Sequence, residues 1–335
     1  MDMINWDQAL PVVFAGLMGL SILIYVVLDG YDLGVGVLTA FATPEEKDRM
    51  IASIGPFWDA NETWLVLAVG LLLVAFPAAH GIILTTLYLP VMIMLIGLIF
   101  RGVAFEFRAK VKPQHKNWWN LSFFAGSLIT ALSQGYMLGI YVLGLDQSLS
   151  SVLFAMGVAV ALCATYAFLG AAWLIYKAED VLQHKAVRWA KRTLIVMALG
   201  MGTISVVTPL ASERIFGKWF SVPEILLLAP LPLVAGGLFV GLWVMLRHMP
   251  FTEDRFSWAP LLMGAGAMIT GFAGLAYSFY PYVVPERLTI YEAASATESL
   301  GIILVGTLFV LPIILGYTVF AYTVFRGKAT ALSYK

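Results

Sequence analysis

Long apolar runs separated by short polar segments make up most of the chain. Nine runs occur, near residues 9–30, 63–79, 81–105, 119–145, 151–176, 190–210, 225–246, 258–280 and 299–325. A helix needs roughly 20 mostly apolar residues to cross the hydrocarbon core of a bilayer. The pattern therefore predicts an all-α integral membrane protein with about nine transmembrane helices, which we number span 1 to span 9.

The segments between the runs indicate how the spans are arranged. The connection AFPAAHG between spans 2 and 3 is short, which favours antiparallel neighbours and helical bundles. We expect one polytopic membrane domain over residues 1–335, built as two four-helix bundles plus one peripheral helix. The amino-terminal MDMINWDQALP lacks the basic region of a signal peptide, so span 1 is expected to be an uncleaved helix.

Glycines at helical spacing predict where helices approach one another closely, because small residues let two backbones touch. The pairs are Gly30 with Gly34, Gly135 with Gly139, and Gly237 with Gly241. We interpret them as packing positions without a chemical role.

Composition agrees with a membrane protein and narrows the function classes. Hydrophobic residues make up 61% of the chain and charged residues 12%, against about 25% charged in soluble domains. The net charge is zero and the basic residues sit in short loops, which excludes a nucleic-acid-binding surface. Cys163 is the only cysteine, so it can form neither an internal disulfide nor a cysteine metal site.

The distribution of Lys and Arg predicts the orientation of the spans. Seventeen of these residues, Lys335 among them, lie in the loops after spans 1, 3, 5 and 7 or in the carboxyl tail. Arg214, Lys218 and Arg287 are the other three. Cytoplasmic loops are enriched in Lys and Arg, so we expect the amino terminus outside and the carboxyl terminus in the cytoplasm.

Acidic residues cluster near the predicted cytoplasmic ends of spans 1 and 2. In LDGYDLGVG, Asp29 and Asp32 are three residues apart and share one helix face. IGPFWDANETW repeats this spacing with Asp59 and Glu62, and Trp58 supplies an aromatic ring near the interface. Span 3 ends in FRGVAFEFR, which the predicted topology brings to the same side of the membrane.

This third segment contributes Arg101, Glu106 and Arg108. Acids at membrane depth are costly and usually face a cavity or a partner charge. One interpretation is structural, with Arg101 neutralising Asp29 or Asp59. We favour function, because four acids against one deep arginine leave more negative charge than pairing requires, as a proton or cation entrance would. Ser133 and Gln134 in span 4 are interpreted as interhelical hydrogen-bond partners.

The histidines argue against a haem or copper site in this chain, since such sites use His, Met or Cys ligands. His115, His184 and His248 fall in or beside cytoplasmic loops, and His80 lies in the short outer connection. No pair sits at helical spacing within the predicted hydrocarbon core.

Five motifs resemble subunit 2 of the cytochrome bd-type quinol oxidases, including the cyanide-insensitive branch. They are LDGYDLGVG, IGPFWDANETWLV, FRGVAFEFR, GSLITALSQGYMLG and PYVVPERLTIYEAAS, and they occur in the family's order over nearly the whole chain. The resemblance implies a nine-helix subunit of a bacterial inner-membrane complex that oxidises quinol, reduces dioxygen to water and contributes to proton-motive force.

The resemblance also implies how the work is divided between subunits. This chain would carry no catalytic residue, metal or haem, and a haem-bearing subunit 1 would hold b- and d-type or only b-type haems. A structural quinone, membrane lipids and small single-helix accessory subunits are further expected ligands or partners. In the family, motifs matching Asp29, Asp32, Trp58 and Asp59 are associated with a proton pathway.

Arg101 and Glu106 match the family's arginine and acidic positions at the end of span 3, and we add Glu62 to the predicted pathway. Some relatives have His where this chain has Phe57, which removes one titratable group. Two alternatives stay open. The same acids could couple protons to a solute in a secondary transporter, or the chain could be a scaffold without a proton role.

Overall fold

A computed structural model describes residues 5–329. Within these residues, nine helical segments are long and apolar enough to cross a membrane. They are Trp6–Phe41, Trp58–Ala75, Tyr88–Arg108, Lys116–Val142, Leu149–Lys177, Asp180–Ala211, Glu224–His248, Ala259–Phe279 and Thr297–Val324. The predicted number of spans and the all-α class are therefore confirmed for the described chain. Lys335, one of the basic residues that predicted the orientation, lies outside it.

In chain order the helices are α1 (Trp6–Leu38), α2 (Pro44–Ile54), α3 (Trp58–Ala75), α4 (Pro77–Thr86), α5 (Tyr88–Arg108), α6 (Lys116–Val142), α7 (Leu149–Lys177), α8 (Asp180–Ala211), α9 (Glu213–Phe220), α10 (Glu224–Leu228), α11 (Pro230–His248), α12 (Ala259–Phe279), α13 (Ile290–Ala293) and α14 (Thr297–Val324). Short 3-10 turns lie at Thr39–Phe41, Pro113–His115 and Thr252–Asp254. Strands β1 (Tyr282–Val284) and β2 (Leu288–Thr289) form a small antiparallel hairpin before the last span.

Span 1 is longer than the apolar run predicted. Helix α1 continues to Leu38, beyond the expected end near residue 30. Asp29 and Asp32 therefore lie inside the helix and are fully buried, instead of marking its end. The glycine-rich continuation remains helical because its small residues pack directly against α7.

The prediction of a short loop between spans 2 and 3 is wrong. Helix α3 ends at Ala75, and a separate helix, α4, begins at Pro77 and ends at Thr86. Proline suits the first turn of a helix because it lacks the amide hydrogen that would be unpaired there. Span 3 consequently begins at Tyr88, several residues after the predicted start.

Helix α7 is the centre of the bundle and packs against α1, α6, α8 and α12. Its backbone nearly touches that of α1, where a Cβ atom on Gly34 would lie 1.7 Å from the carbonyl oxygen of Tyr166. A Cβ atom on Gly170 would lie 2.5 Å from the carbonyl carbon of Gly34. Only glycine fits at this crossing, as the spacing of Gly30 and Gly34 predicted. A Cβ on Gly237, in contrast, would have no neighbour within 4 Å.

Polar contacts join the loops after spans 1, 3, 5 and 7 to the tail after span 9. Lys185 pairs with Glu46 at 2.7 Å and Lys116 with Asp48 at 2.8 Å, while Lys328 pairs with Asp254. These segments therefore lie at one end of the bundle, which we call the basic end. That the basic end faces the cytoplasm remains a prediction from the distribution of Lys and Arg.

Span 9 is the most exposed of the nine and is held mainly through its last turns. The Lys177 ammonium group, at the end of α7, donates hydrogen bonds to the carbonyl oxygens of Phe325 (2.6 Å) and Gly327 (2.9 Å). It also lies 5.1 Å from the ring centroids of Trp173 and Tyr176. This contact holds the carboxyl end of span 9 against α7. The division into two four-helix bundles stays a prediction.

We predict that Gly34→Ala destabilises the protein strongly, because the added methyl group would collide with the α7 backbone. Overpacking in a core commonly costs about 1–3 kcal/mol and occasionally more, and a backbone neighbour cannot rotate away. Thermal unfolding of the detergent-purified protein measures the effect. Gly16→Ala, on the same helix with no atom within 4 Å of the added Cβ, is the matched control. Equal stability of the two variants would contradict the close crossing.

Asp48 at the basic end should contribute stability that depends on pH. Partial burial opposes ionisation, but hydrogen bonds from Lys116 and Arg108 hold the pKa of this carboxyl below its ordinary value. A carboxyl group whose pKa is lower in the folded state stabilises the fold at pH values above its unfolded-state pKa, about 3.9 for Asp. This contribution is lost as the pH falls through the pKa of the folded state. The melting temperature of the wild type should therefore exceed that of Asp48→Asn at pH 7. The difference should vanish in strong acid.

Candidate functional site

A cluster of charged and polar side chains lies where α1, α3 and α5 meet. Asp29 and Asp32 are one turn apart on the same face of α1, as their spacing predicted. The second helix, α3, contributes Asn61 and Glu62, and α5 contributes Arg101. We call these five residues the buried charge cluster. These helices are the first three spans, and their packing brings together charged residues that lie far apart along the chain.

Arg101 is the central cation of the buried charge cluster. Its guanidinium lies 2.6 Å from the Asp29 carboxylate, 4.0 Å from that of Asp32 and 3.6 Å from that of Glu62. The side chains of Arg101, Asp29 and Asp32 are fully buried, whereas Glu62 is 27% exposed. The structural interpretation considered above is therefore correct for the Arg101–Asp29 pair. Yet three carboxyl groups share one cation, so Arg101 cannot neutralise all of them in their ionised form.

Asn61 connects this cluster to two tyrosines. Its amide nitrogen donates to the carboxylate of Asp32 (2.8 Å) and to the hydroxyl of Tyr31 (2.9 Å). The hydroxyl of Tyr322, from span 9, donates to the Asn61 amide oxygen at 3.2 Å and contacts the Tyr31 hydroxyl. The last span therefore reaches the charge cluster through a single tyrosine.

Several polar atoms in the cluster have no hydrogen-bond partner among the described residues. They are one carboxylate oxygen each of Asp29 and Asp32, and the Nε and NH1 atoms of Arg101. Buried polar atoms are normally paired with protein groups or with water. The carboxylate oxygens accept and the guanidinium N–H groups donate hydrogen bonds, so a buried water molecule is the partner that would satisfy them.

Exposure decreases stepwise from the helix start into the bundle. Asp59, in the first turn of α3, is exposed. Glu62 follows three residues later on the same face and is partly exposed. Beyond it lie Arg101 and Asp29, both with no exposed side-chain area. Acidic groups therefore lead from the surface at the basic end to the buried ion pair.

The structure places the remaining predicted site residues in different surroundings. Trp58 lies beside the cluster, with the Arg101 guanidinium 6.0 Å from its ring centroid and the Phe105 ring packed against it at a tilt of 36°. Glu106 does not join the buried charge cluster. It is exposed and lies 3.5 Å from Lys110 on the following turn, because five residues along a helix turn it to another face than Arg101. Its part in a proton pathway stays a prediction.

Arg108 was grouped with Arg101 by sequence, but it belongs to a different contact. It pairs with Asp48 of α2, and its Nε atom donates to the side-chain oxygen of Asn120 at 2.5 Å. These two contacts of Arg108 connect α2, α5 and α6 at the basic end. It fixes the end of the helix that carries Arg101.

Sequence reasoning missed Asn61, Tyr31 and Tyr322 as cluster residues. Asn61 and Tyr31 directly precede the acids Glu62 and Asp32 within the same motifs, which was the available signal. Tyr322 had no such signal, because span 9 carries no charged residue near it. Gln134 was interpreted correctly as an interhelical partner: it donates to the Tyr25 hydroxyl and accepts from the Tyr166 hydroxyl, each at 2.6 Å.

The histidines are dispersed in the structure. His184 and His248 are exposed, and each ring Nδ1 atom lies within hydrogen-bond distance of a carbonyl oxygen four residues earlier. His115 is also exposed. Among the residues that the structure describes, no group of three or more His, Cys, Asp or Glu side chains could hold a metal ion.

These features define a class: a multi-pass α-helical membrane protein whose first three spans share a buried cluster of three acids around one arginine. Residues 10–325 match the family model described as cytochrome bd terminal oxidase subunit II. The chain belongs to this family, and it is a multi-pass protein of the bacterial inner membrane.

Relatives and a solved structure agree with that assignment. The chain is 27% identical to the cytochrome bd ubiquinol oxidase subunit 2 of Bacillus subtilis, covering 97% of this chain and 96% of the relative. It is 27% identical to the cytochrome bd-I ubiquinol oxidase subunit 2 of Escherichia coli K12, with 94% and 93% covered. The bd oxidase structure from Geobacillus thermodenitrificans shares the fold, with a TM-score of 0.73 at 18% identity, covering 95% of this chain and 99% of that one.

Removing the central cation should destabilise the protein more than removing a surface cation. Arg101→Met leaves the buried carboxyl groups of Asp29 and Asp32 without a cation, and breaking a buried ion pair typically costs about 3–5 kcal/mol. Arg101→Met combined with Asp29→Asn should recover part of that loss. Lys110→Met removes an exposed partner and should cost less than about 1 kcal/mol. Thermal unfolding compares the three, and equal losses for Arg101→Met and Lys110→Met would refute the assigned burial.

Proposed function

We propose that this chain is the non-haem subunit of a bd-type terminal oxidase that oxidises quinol and reduces dioxygen to water. Its family and the names of its relatives support this proposal. Its partner would be a haem-bearing subunit 1, to which small accessory subunits and lipids could add. The complex would contribute to proton-motive force by taking protons for oxygen reduction from the cytoplasm.

The haems would be held by the partner subunit. Haem iron in membrane proteins is bound by His, Met or Cys, and three of the four histidines of this chain are exposed at helix ends. Cys163 lies in α7 and packs within the apolar core. The ligands needed for b- and d-type haems would therefore come from subunit 1. A structural quinone or lipid in this chain remains part of the proposal.

Within the complex, the buried charge cluster would conduct protons from the cytoplasm toward the partner. The single observation that carries this role is the stepwise burial of acids, from exposed Asp59 through partly exposed Glu62 to buried Asp29 and Asp32. Carboxylates can pass protons between water molecules. Three carboxyl groups surround the single cation Arg101, so at least one of them can carry a proton, and the unpaired carboxylate oxygens can accept hydrogen bonds from water.

The partial exposure of Glu62 gives the pathway its connection to the surface. Arg101 holds this carboxylate from one side at 3.6 Å, while its other side is open. Asp59, one turn nearer the basic end, would collect protons from the aqueous phase. Asp32, fixed by Asn61, would mark the inner limit of the pathway within this chain.

The proton role predicts a loss of turnover when these acids are neutralised. Glu62→Gln should lower quinol oxidase turnover on the order of 10²-fold, the usual contribution of a positioned proton-transfer group, and Asp59→Asn should lower it less. The haem spectrum of the complex should stay unchanged. Glu45→Gln, which neutralises an exposed acid at the basic end in α2, is the matched control and should retain full turnover.

Two outcomes would redirect the proposal. Full turnover after neutralising all four acids would mean that the chain is a scaffold without a proton role. Purification without a stoichiometric haem-bearing subunit would refute the oxidase assignment itself. The proton-coupled transporter receives no support from the family or the relatives, and solute-dependent proton uptake by the purified chain would be needed to revive it.

A further inference from the structure

Helix α8, which forms span 6, is longer than the membrane it crosses. Its 32 residues correspond to about 48 Å at 1.5 Å per residue, whereas the hydrocarbon core is about 30 Å thick. All of its charged residues lie between Asp180 and Arg192, and the segment 193–211 has none. That uncharged segment alone is about 29 Å long. The first three turns of α8 therefore extend beyond the hydrocarbon into the headgroup zone at the basic end.

Two cavities open on either side of this extension and share Arg188. The first measures about 220 Å³ and is lined by Phe41, Lys185, Arg188, Trp189 and Arg192. The second measures about 410 Å³ and is lined by His184, Val187, Arg188, Lys191, Met249 and Pro250. Each cavity combines cations with apolar surface, and neither contains an acidic residue among its lining side chains.

Three of the lining cations have no acidic partner among the described residues. Arg188, Lys191 and Arg192 form no salt bridge within residues 5–329, and both arginines are exposed. Lys185 differs, because Glu46 holds it at 2.7 Å. The Lys185–Glu46 ion pair holds one side of the first cavity in place. Arg188 and Arg192 supply positive charge that no acidic residue in the described chain neutralises.

We propose that these two cavities bind the headgroup of an anionic phospholipid. Arginine matches the geometry of a phosphate because its planar guanidinium can donate two parallel hydrogen bonds. Basic pockets at the cytoplasmic ends of membrane helices are suited to anionic headgroups. Arg188 and Arg192 are one turn apart and would bind one phosphate in the first cavity. Lys191, with Arg188, would face a second phosphate in the other.

The apolar lining distinguishes a lipid from a soluble anion. Trp189 has the amphipathic ring that favours the membrane interface, and Phe41 is 67% exposed at the mouth of the first cavity. These rings lie at the depth where the glycerol and the first acyl carbons follow the phosphate. A free phosphate would gain nothing from them. The shared position of Arg188 between two cavities further favours a lipid with two phosphates, such as cardiolipin, over one with a single phosphate.

The test measures lipid binding to the full chain in its purified native complex. Native mass spectrometry follows titration with cardiolipin, with phosphatidylglycerol and with zwitterionic phosphatidylcholine. Arg188→Gln combined with Arg192→Gln should weaken the binding of both anionic lipids about thirtyfold, since each cation near the surface contributes about fivefold. Phosphatidylcholine should bind weakly to the wild type and the variant alike.

The control replaces two exposed cations of the basic end that lie outside both cavities. Lys112→Gln combined with Arg326→Gln changes the net charge equally and should leave lipid affinity within about twofold. Equal weakening in the control would mean that only general surface charge matters and would overturn the site. Displacement of the lipid by equimolar inorganic phosphate would also overturn it, because the site would then favour a soluble anion.

A second variant changes affinity in the opposite direction. Glu46→Gln releases Lys185 from its ion pair, and glutamine can keep the capping contact that Glu46 makes with the Thr43 backbone. Anionic lipids should bind about fivefold more tightly to this variant, the contribution of one further free cation. Unchanged or weaker binding would contradict the proposed part of Lys185. Because this variant gains binding, misfolding could not produce the expected result.

Discussion

A charge inside a membrane must have a partner, and the arrangement of the first three spans follows from that requirement. The Arg101 side chain has no solvent-exposed area, so its guanidinium requires the Asp29 carboxylate, which lies 2.6 Å away on another helix. The cost of leaving either group alone in the bilayer is high. The pair therefore holds α1 against α5, and α3 completes the contact by placing Asn61 and Glu62 around it.

The position of α1 depends on its contact with α7 as well as on this ion pair. Gly34 and Gly170 allow α1 and α7 to touch backbone to backbone, which brings the buried part of α1 to the centre of the bundle. Asp29 and Asp32 lie on this same segment. The close crossing and the charge cluster therefore stabilise the same arrangement. The glycines allow α1 to lie deep in the bundle, and in that position Asp29 reaches Arg101.

The two roles proposed for the basic end use opposite charges. Around spans 1 to 3, acids lead inward from the surface, which suits the passage of protons. At the start of span 6, cations without acidic partners surround two cavities at headgroup depth, which suits an anionic lipid. Lys177 and the tail beyond span 9 lie at this same end and bring Tyr322 to the charge cluster. Both proposed roles are therefore assigned to the same end of the bundle.

The number of spans, the all-α class and the grouping of Asp29, Asp32, Glu62 and Arg101 were readable from the sequence. Hydrophobic length decides whether a helix can span a bilayer, and spacing along a helix decides which residues share its face. Both are local properties, so they need no knowledge of the fold. The resemblance to the family was also readable from the sequence, because each matching motif is a contiguous stretch of chain.

Contacts between distant segments were decided only by the tertiary structure. Glu106 and Arg101 lie near each other in sequence but face different sides of α5, whereas Tyr322 reaches Asn61 from the far end of the chain. The lengths of α1 and α8 likewise depend on packing and on where the helix leaves the membrane. Sequence determined which helices form and which carry charge; the packing of their backbones decided which charges meet, because distance in space is independent of distance along the chain.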